Sequence, residues 1–139
     1  IGNNILRKKY FQGFQNQIIK KNLFNYDSFQ EKDVNCGISN QIYAHSYINS
    51  QVKIGDNNII NTGVIIEHET KIGDHNHLSI GEKICGRSSI GNICSIGAGA
   101  VILDQLSICD NVIIGAGSLV ITDVKDPGTY VGSPLKRIK

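Results

Sequence analysis

Counting every sixth residue from Ile42 gives Ile42, Ile48, Ile54, Ile60, Ile66, Ile72, Leu78, Ile84, Ile90, Ile96, Ile102, Ile108, Ile114 and Val120, fourteen branched aliphatics without a miss. A period of six does not match the 3.6 residues of a helix turn and is too short for a helical solenoid. Glycine recurs one place after the aliphatic, at Gly55, Gly73, Gly91, Gly97 and Gly115. Small or modest residues recur two places before it, at Ser46, Thr70, Ser88, Cys94, Ala100 and Ser118. β-Branched residues between such positions favour short strands joined by tight corners. Three hexads close a triangular coil of 18 residues, and residues 18 apart then stack at the β spacing of about 4.8 Å. The expected architecture is therefore all-β, a parallel β-helix of nearly five coils, whose inward aliphatics supply the core without disulfides.

Composition narrows the function classes. The chain has 139 residues, 40% apolar and 19% charged, with a formal charge of +2, as expected for one globular domain. No apolar run approaches the ~18 residues of a membrane helix. So small a charge, without a recognition-helix or RNA-binding signature, argues against nucleic acid as a partner. Cys36, Cys85, Cys94 and Cys109 show no zinc or redox spacing, which fits a reducing, cytoplasmic setting. The opening Ile1-Gly2-Asn3-Asn4 and the lack of methionine suggest that the chain begins inside a longer gene product.

The flanks read differently. Leu6, Tyr10, Phe14 and Ile18 recur every four residues, predicting an amphipathic helix over 4–21 with Asn4 as N-cap and Arg7, Lys8, Lys9, Lys20 and Lys21 on its solvated face. Residues 22–37 read as a linker into the first coil. Asp126-Pro127-Gly128 is a turn signal, and the basic tail after it is expected to cover the open end of the solenoid. The expected division is 1–37 helix and linker, 38–125 β-helix, and 126–139 tail.

Unbroken hexads with Asn61-Thr62-Gly63, Ile66-Glu67-His68-Glu69 and Tyr130-Val131-Gly132-Ser133-Pro134 resemble the hexapeptide-repeat acyltransferases, most closely the NeuD/PglD-type bacterial sugar acetyltransferases. The resemblance spans about residues 38 to 138. It implies a left-handed coil, against the usual right-handed crossover rule. It also implies a homotrimer with active sites between subunits, acetyl-CoA as co-substrate without a metal, and residues 1–37 as the end of a sugar-nucleotide-binding subdomain. The implied reaction is acetylation of a sugar precursor of a bacterial surface glycan. The acceptor is an amino group on a nucleotide-linked 4-amino-4,6-dideoxy sugar or, alternatively, a hydroxyl of sialic acid.

Acetyl transfer from a thioester needs a base for the incoming amine or hydroxyl and a donor for the oxyanion. His68 is the expected base, and Glu69 the carboxylate that orients its imidazole, which requires a corner because neighbours in a straight strand point oppositely. The resemblance assigns Asn61 and His77 to acceptor binding, with a plain coil-surface role as the alternative. Gly86, 18 residues after His68, is assigned an amide that donates to the thioester carbonyl. Ala98 and Ala116, also 18 apart and flanked by glycines, present backbone groups to the pantetheine arm or simply satisfy the coil's steric needs. Lys136, with Arg137, meets the phosphates of coenzyme A or is merely solvated. Ile42-Tyr43-Ala44-His45 departs from the family's Ile-His-Pro-Ser, so His45 takes no role, and Asp74-His75-Asn76 reads as an exposed turn.

Two other readings compete. A γ-type carbonic anhydrase on the same scaffold would hold zinc with three histidines, but His68, His75 and His77 lack its pair of histidines five residues apart. A structural or ice-binding solenoid would need a regular outward array, whereas the outward Lys, Glu, Asn and Gln are irregular.

Overall fold

The computed structural model describes residues 2–17 and 20–139. A short helix α1 (Asn4–Gly13) precedes a triangular parallel β-helix whose strands are mostly two residues long. Coil strands pair with those 18 residues away, as Lys83 does with Ile65 and Val101, giving three sheets along the solenoid. Sheet 1 has eight strands, sheet 2 six and sheet 3 five. Every hexad aliphatic from Ile42 to Val120 is buried in one continuous core.

The coil count differs from the expectation. Leu23–Phe24, Phe29–Gln30 and Asn35–Cys36 form an additional coil where a linker was expected, so the solenoid has about six turns. Phe24, Gln30 and Cys36 continue the hexad register, but this end coil is covered on one side only, so Phe24 stays 44% exposed and a glutamine is tolerated. At the other end the tail packs against the sheets. Gly128–Val131 extends sheet 1, Lys136–Arg137 folds back against it, and Leu119 of sheet 2 bonds through its N–H and C=O to Gly132 and Leu135. These contacts cover strand edges that would otherwise be open.

The corners obey a rule that the glycine pattern does not reveal. Positive φ occurs every six residues from Ser39 to Gly117, at ten non-glycine residues including Glu69, Arg87 and Ile93 and at Gly63, Gly81, Gly99 and Gly117. The glycines that follow the aliphatics have ordinary φ and serve close stacking instead. A Cβ on Gly55 or Gly73 would overlap the side chain of Asp74 or Asn92 one coil away, and those side chains accept the N–H groups of Asp56 and Asp74 at 2.8 and 2.7 Å. Inside the same corner runs a buried asparagine ladder. Asn40 Oδ1 accepts Asn58 N–H, Asn58 Oδ1 accepts Asn76 N–H, and Asn76 Oδ1 accepts Cys94 N–H, at 2.7–2.8 Å. Backbone donors that turn away from the sheets are thereby satisfied.

Helix α1 is shorter than expected, with Asn3 as N-cap in place of Asn4, and it docks by the opposite face. Leu6, Tyr10 and Phe14 are 40–50% exposed, while Asn4 and Arg7 are buried; Ile18 lies outside the described residues. Arg7 donates to the carbonyls of Asn57, His75 and Asn76 at 3.2, 2.8 and 2.9 Å, and Asn4 donates to Cys94 O at 2.8 Å. The solenoid offers carbonyl groups at this corner, so hydrogen bonding, not an apolar stripe, sets the docking face. Desolvation pulls the Arg7 guanidinium down to about 10, which leaves it charged at neutral pH. His75 is correspondingly buried, against the exposed turn expected. Its ring meets the edge of Phe11, and its Nδ1 lies 2.9 Å from Asn57 Nδ2.

Candidate active site

His68 and Glu69 occupy the corner between strands Ile65–Ile66 of sheet 2 and Lys71–Ile72 of sheet 3. Glu69 has φ +59°, and this left-handed corner lets two sequence neighbours project together. Their side chains meet with His68 Nδ1 3.1 Å from Glu69 Oε2, each about half exposed. A carboxylate there accepts a hydrogen from Nδ1 and leaves the Nε2 lone pair free, the state a general base requires.

One coil on, Gly86 is buried beneath the His68 ring. A Cβ on Gly86 would lie 2.7 Å from His68 Nε2 and 3.2 Å from Asp104 Oδ1, so only glycine fits without displacing them. The Gly86 carbonyl accepts Gln105 N–H at 3.0 Å, while its own N–H has no partner among the described residues. Asp104, a third member of this 18-residue track, pairs with Arg87 at 2.8 Å, and this guanidinium hydrogen bond holds its carboxyl below the usual range. Sequence reasoning passed over Asp104 and Arg87, although continuing the 68–86 spacing by another 18 would have found the aspartate.

The other expected site residues lie elsewhere on the chain. Asn61, Ala98 and Ala116 share the corner from sheet 1 to sheet 2, where Asn61 Oδ1 accepts Thr62 N–H at 2.8 Å and Ala98 O accepts Gly117 N–H at 2.8 Å. His77 lies on the outer side of sheet 1, with Gly2 packed over the ring and Nε2 buried without a partner among the described residues. Burial first, and then Arg7, holds its basicity below the ordinary value. Lys136 stands exposed on the returning tail strand. The chain thus joins His68, Glu69 and Gly86, groups Asn61 with the two alanines, and leaves His77 and Lys136 apart. Among the described residues no three His, Cys, Asp or Glu side chains gather to hold a metal, and no helix is long and apolar enough to cross a membrane.

Beside His68 and Glu69, the outer side of sheet 3 carries a groove of about 610 Å³ lined by Asn35, Lys53, Glu69, Lys71, Arg87 and Ser89 among others. On the other side of the corner, sheet 2 presents a mainly apolar outward column of Phe29, Tyr47, Ile65, Val101 and Leu119, interrupted by Lys83.

Comparison with known proteins agrees with this architecture. The bacterial transferase hexapeptide family (six repeats) matches residues 87–122. A comparison with curated proteins returns no match. Among solved structures, PerB from Caulobacter crescentus in complex with CoA and GDP-perosamine superposes with a TM-score of 0.96 at 29% identity, over 100% of this chain and 68% of that one. The acetyltransferase domain of PglB from Neisseria gonorrhoeae in complex with acetyl coenzyme A gives 0.95 at 25% identity, over 99% and 68%. WeeI from Acinetobacter baumannii gives 0.94 at 25% identity, over 99% and 68%. The repeat, the family match over residues 87–122 and these superpositions together show that the chain has the hexapeptide-repeat, left-handed β-helix fold of these acetyltransferase structures.

Proposed function

We propose that the protein transfers an acetyl group from acetyl-CoA to the amino group of a nucleotide-linked amino sugar, with His68 as general base. The observation that carries this reading is the stacked trio: His68 is held through Nδ1 by Glu69, and its ring lies against Gly86, whose N–H has no partner among the described residues. A proton acceptor and a free backbone donor on one corner track are the two groups that acyl transfer to an amine requires, and this supports the reading. Structural similarity to PerB, which is bound to CoA and GDP-perosamine, supports the choice of an amine on a nucleotide sugar.

In this mechanism the acceptor nitrogen attacks the thioester carbonyl, and its proton passes to His68 Nε2. Glu69 stabilises the resulting imidazolium, and the Gly86 N–H stabilises the oxyanion. Collapse breaks the carbon–sulfur bond, and the departing thiolate takes the proton back from His68. The amide and free coenzyme A leave, with no covalent enzyme intermediate.

The complete site requires a second copy. His68 and Gly86 flank one edge of sheet 2, while Asn61, Ala98 and Ala116 flank the other. A second copy packed on the apolar column between them, as in a homotrimer, brings the two groups together; burial of that column favours such packing. On this reading Ala98, Ala116 and Lys136 serve the coenzyme, and Asn61 and His77 the sugar.

Thiol release from acetyl-CoA with a panel of UDP-, GDP- and dTDP-linked 4-amino sugars and free sialic acid tests the reaction. One amino sugar should turn over, and His68→Ala should lower kcat by about 10²–10⁴. Full activity in that variant would reject His68 as base, and turnover of sialic acid alone would reject the amine.

A further inference from the structure

The groove on sheet 3 contains a charge arrangement that the proton-transfer trio does not use. Lys53 and Lys71 are in-register partners on adjacent parallel strands, both exposed and both lining the groove. Their backbones are therefore about 4.8 Å apart, and like charges directly opposite on neighbouring strands oppose folding. The column continues with neutral residues, Asn35 below and Ser89 above.

Among the described residues neither ammonium group makes an ion pair; the pairs present are His68 with Glu69 and Arg87 with Asp104. The groove's acids are engaged elsewhere: Glu69 faces His68, and Asp33 accepts a hydrogen bond from Ser50 Oγ at 2.8 Å. Arg87 is paired with Asp104, and Ser89 bonds to Ser107 at 3.0 Å. Two cations without an ion pair on a rigid ladder inside a groove make a preorganised receptor for a polyanion.

We propose that Lys53 and Lys71 bind the diphosphate of a nucleotide-linked substrate, one ammonium group to each phosphate. This rests on the acetyl-transfer reading above and extends it. A diphosphate seated on Lys53 and Lys71 runs along the same groove that Glu69 lines, so the reacting part of the ligand lies toward His68. The anion also removes the mutual repulsion of the ladder, energy that the empty groove cannot recover.

Both coenzyme A and a nucleotide sugar carry a diphosphate, so the experiment must separate them. Calorimetric titration with inorganic pyrophosphate is made on the full chain, on Lys53→Gln/Lys71→Gln, on Lys125→Ala as a control, and on His68→Ala. The wild type, the control and His68→Ala should bind alike, and the double variant about tenfold more weakly or worse, a loss of about 1.4 kcal/mol. Equal binding by the wild type and the double variant would overturn the proposal. Displacement of pyrophosphate by GDP or UDP assigns the groove to the acceptor, displacement by coenzyme A alone assigns it to the donor, and displacement by neither overturns a nucleotide-linked ligand. A chain that binds pyrophosphate through these lysines yet acetylates no amino sugar overturns the reaction alone. Turnover with unchanged KM values for both substrates in the double variant overturns the groove alone.

Discussion

Gly86 lacks a side chain because His68 lies over it: a Cβ there would be 2.7 Å from the His68 Nε2. The backbone at Gly86 has no positive φ, so alanine fits the chain but not the site. Gly86→Ala should retain the unfolding temperature within a few degrees and lower kcat by about 10²-fold through displacement of the imidazole. Steady-state kinetics with a thermal melt checks both halves. A variant with unaltered kcat would show that the stacking of these residues does not matter for turnover.

Glu69 touches only the far side of the imidazole, so its contribution is positional and electrostatic. Glu69→Gln keeps the size but removes the charge that stabilises an imidazolium. We expect kcat to fall at least about tenfold with KM for both substrates nearly constant. A change confined to KM would assign Glu69 to substrate binding instead.

Arg7 holds the helix to the solenoid through three backbone carbonyls. Arg7→Ala should weaken that docking by about 2–4 kcal/mol, since charge-assisted bonds are lost and buried acceptors are left open. The effect is local: hydrogen exchange and limited proteolysis should show α1 released while the strands stay protected. Arg7→Lys should not restore docking, because one ammonium group cannot reproduce the planar fork.

Glu82 is fully buried between Val64 and Ala100 along its 18-residue track, and neither carboxylate oxygen has a partner among the described residues. Burial pushes its carboxyl well above the ordinary glutamate value, outweighing the nearby Ser79 N–H. The folded protein thus prefers the protonated form, whereas the unfolded chain ionises near 4.5. Its contribution to stability is complete below that pH and declines as pH rises toward the folded value. Glu82→Val should flatten this dependence and stabilise the protein at pH 7 by about 2 kcal/mol, measured by denaturant unfolding from pH 4 to 8. An unchanged pH profile would contradict this account.

Val101 and Leu119 point outward on sheet 2, in the column assigned to self-association. Val101→Asp should dissociate the assembly in sedimentation velocity while circular dichroism keeps its β signal. A wild-type protein that sediments as a monomer would remove the shared site.

Much of the site follows directly from periodicity. Because residues 18 apart stack, Gly86 is placed against His68 by counting, and the need for a corner at Glu69 follows from strand alternation. The same arithmetic extends to Asp104 and to the Lys53–Lys71 pair, where outward residues of mixed chemistry obscured the pattern. The register puts Asn61 on another corner and His77 on a strand of sheet 1, and by itself it does not bring either to His68.

The sequence by itself determined the solenoid, its 18-residue coil and the buried aliphatic ladder, since a strict period of six leaves strand alternation and tight corners little choice. Only the tertiary structure decided which corner residues take positive φ, that the glycines after the aliphatics serve stacking, and that Phe24, Gln30 and Cys36 form a further coil. It also decided that α1 docks through Asn4 and Arg7, reversing the face its apolar spacing suggested. The physical reason is the same in each case: these features depend on which backbone groups a neighbouring coil leaves unsatisfied, and that is a property of the stacked structure, invisible in the periodicity of a single strand.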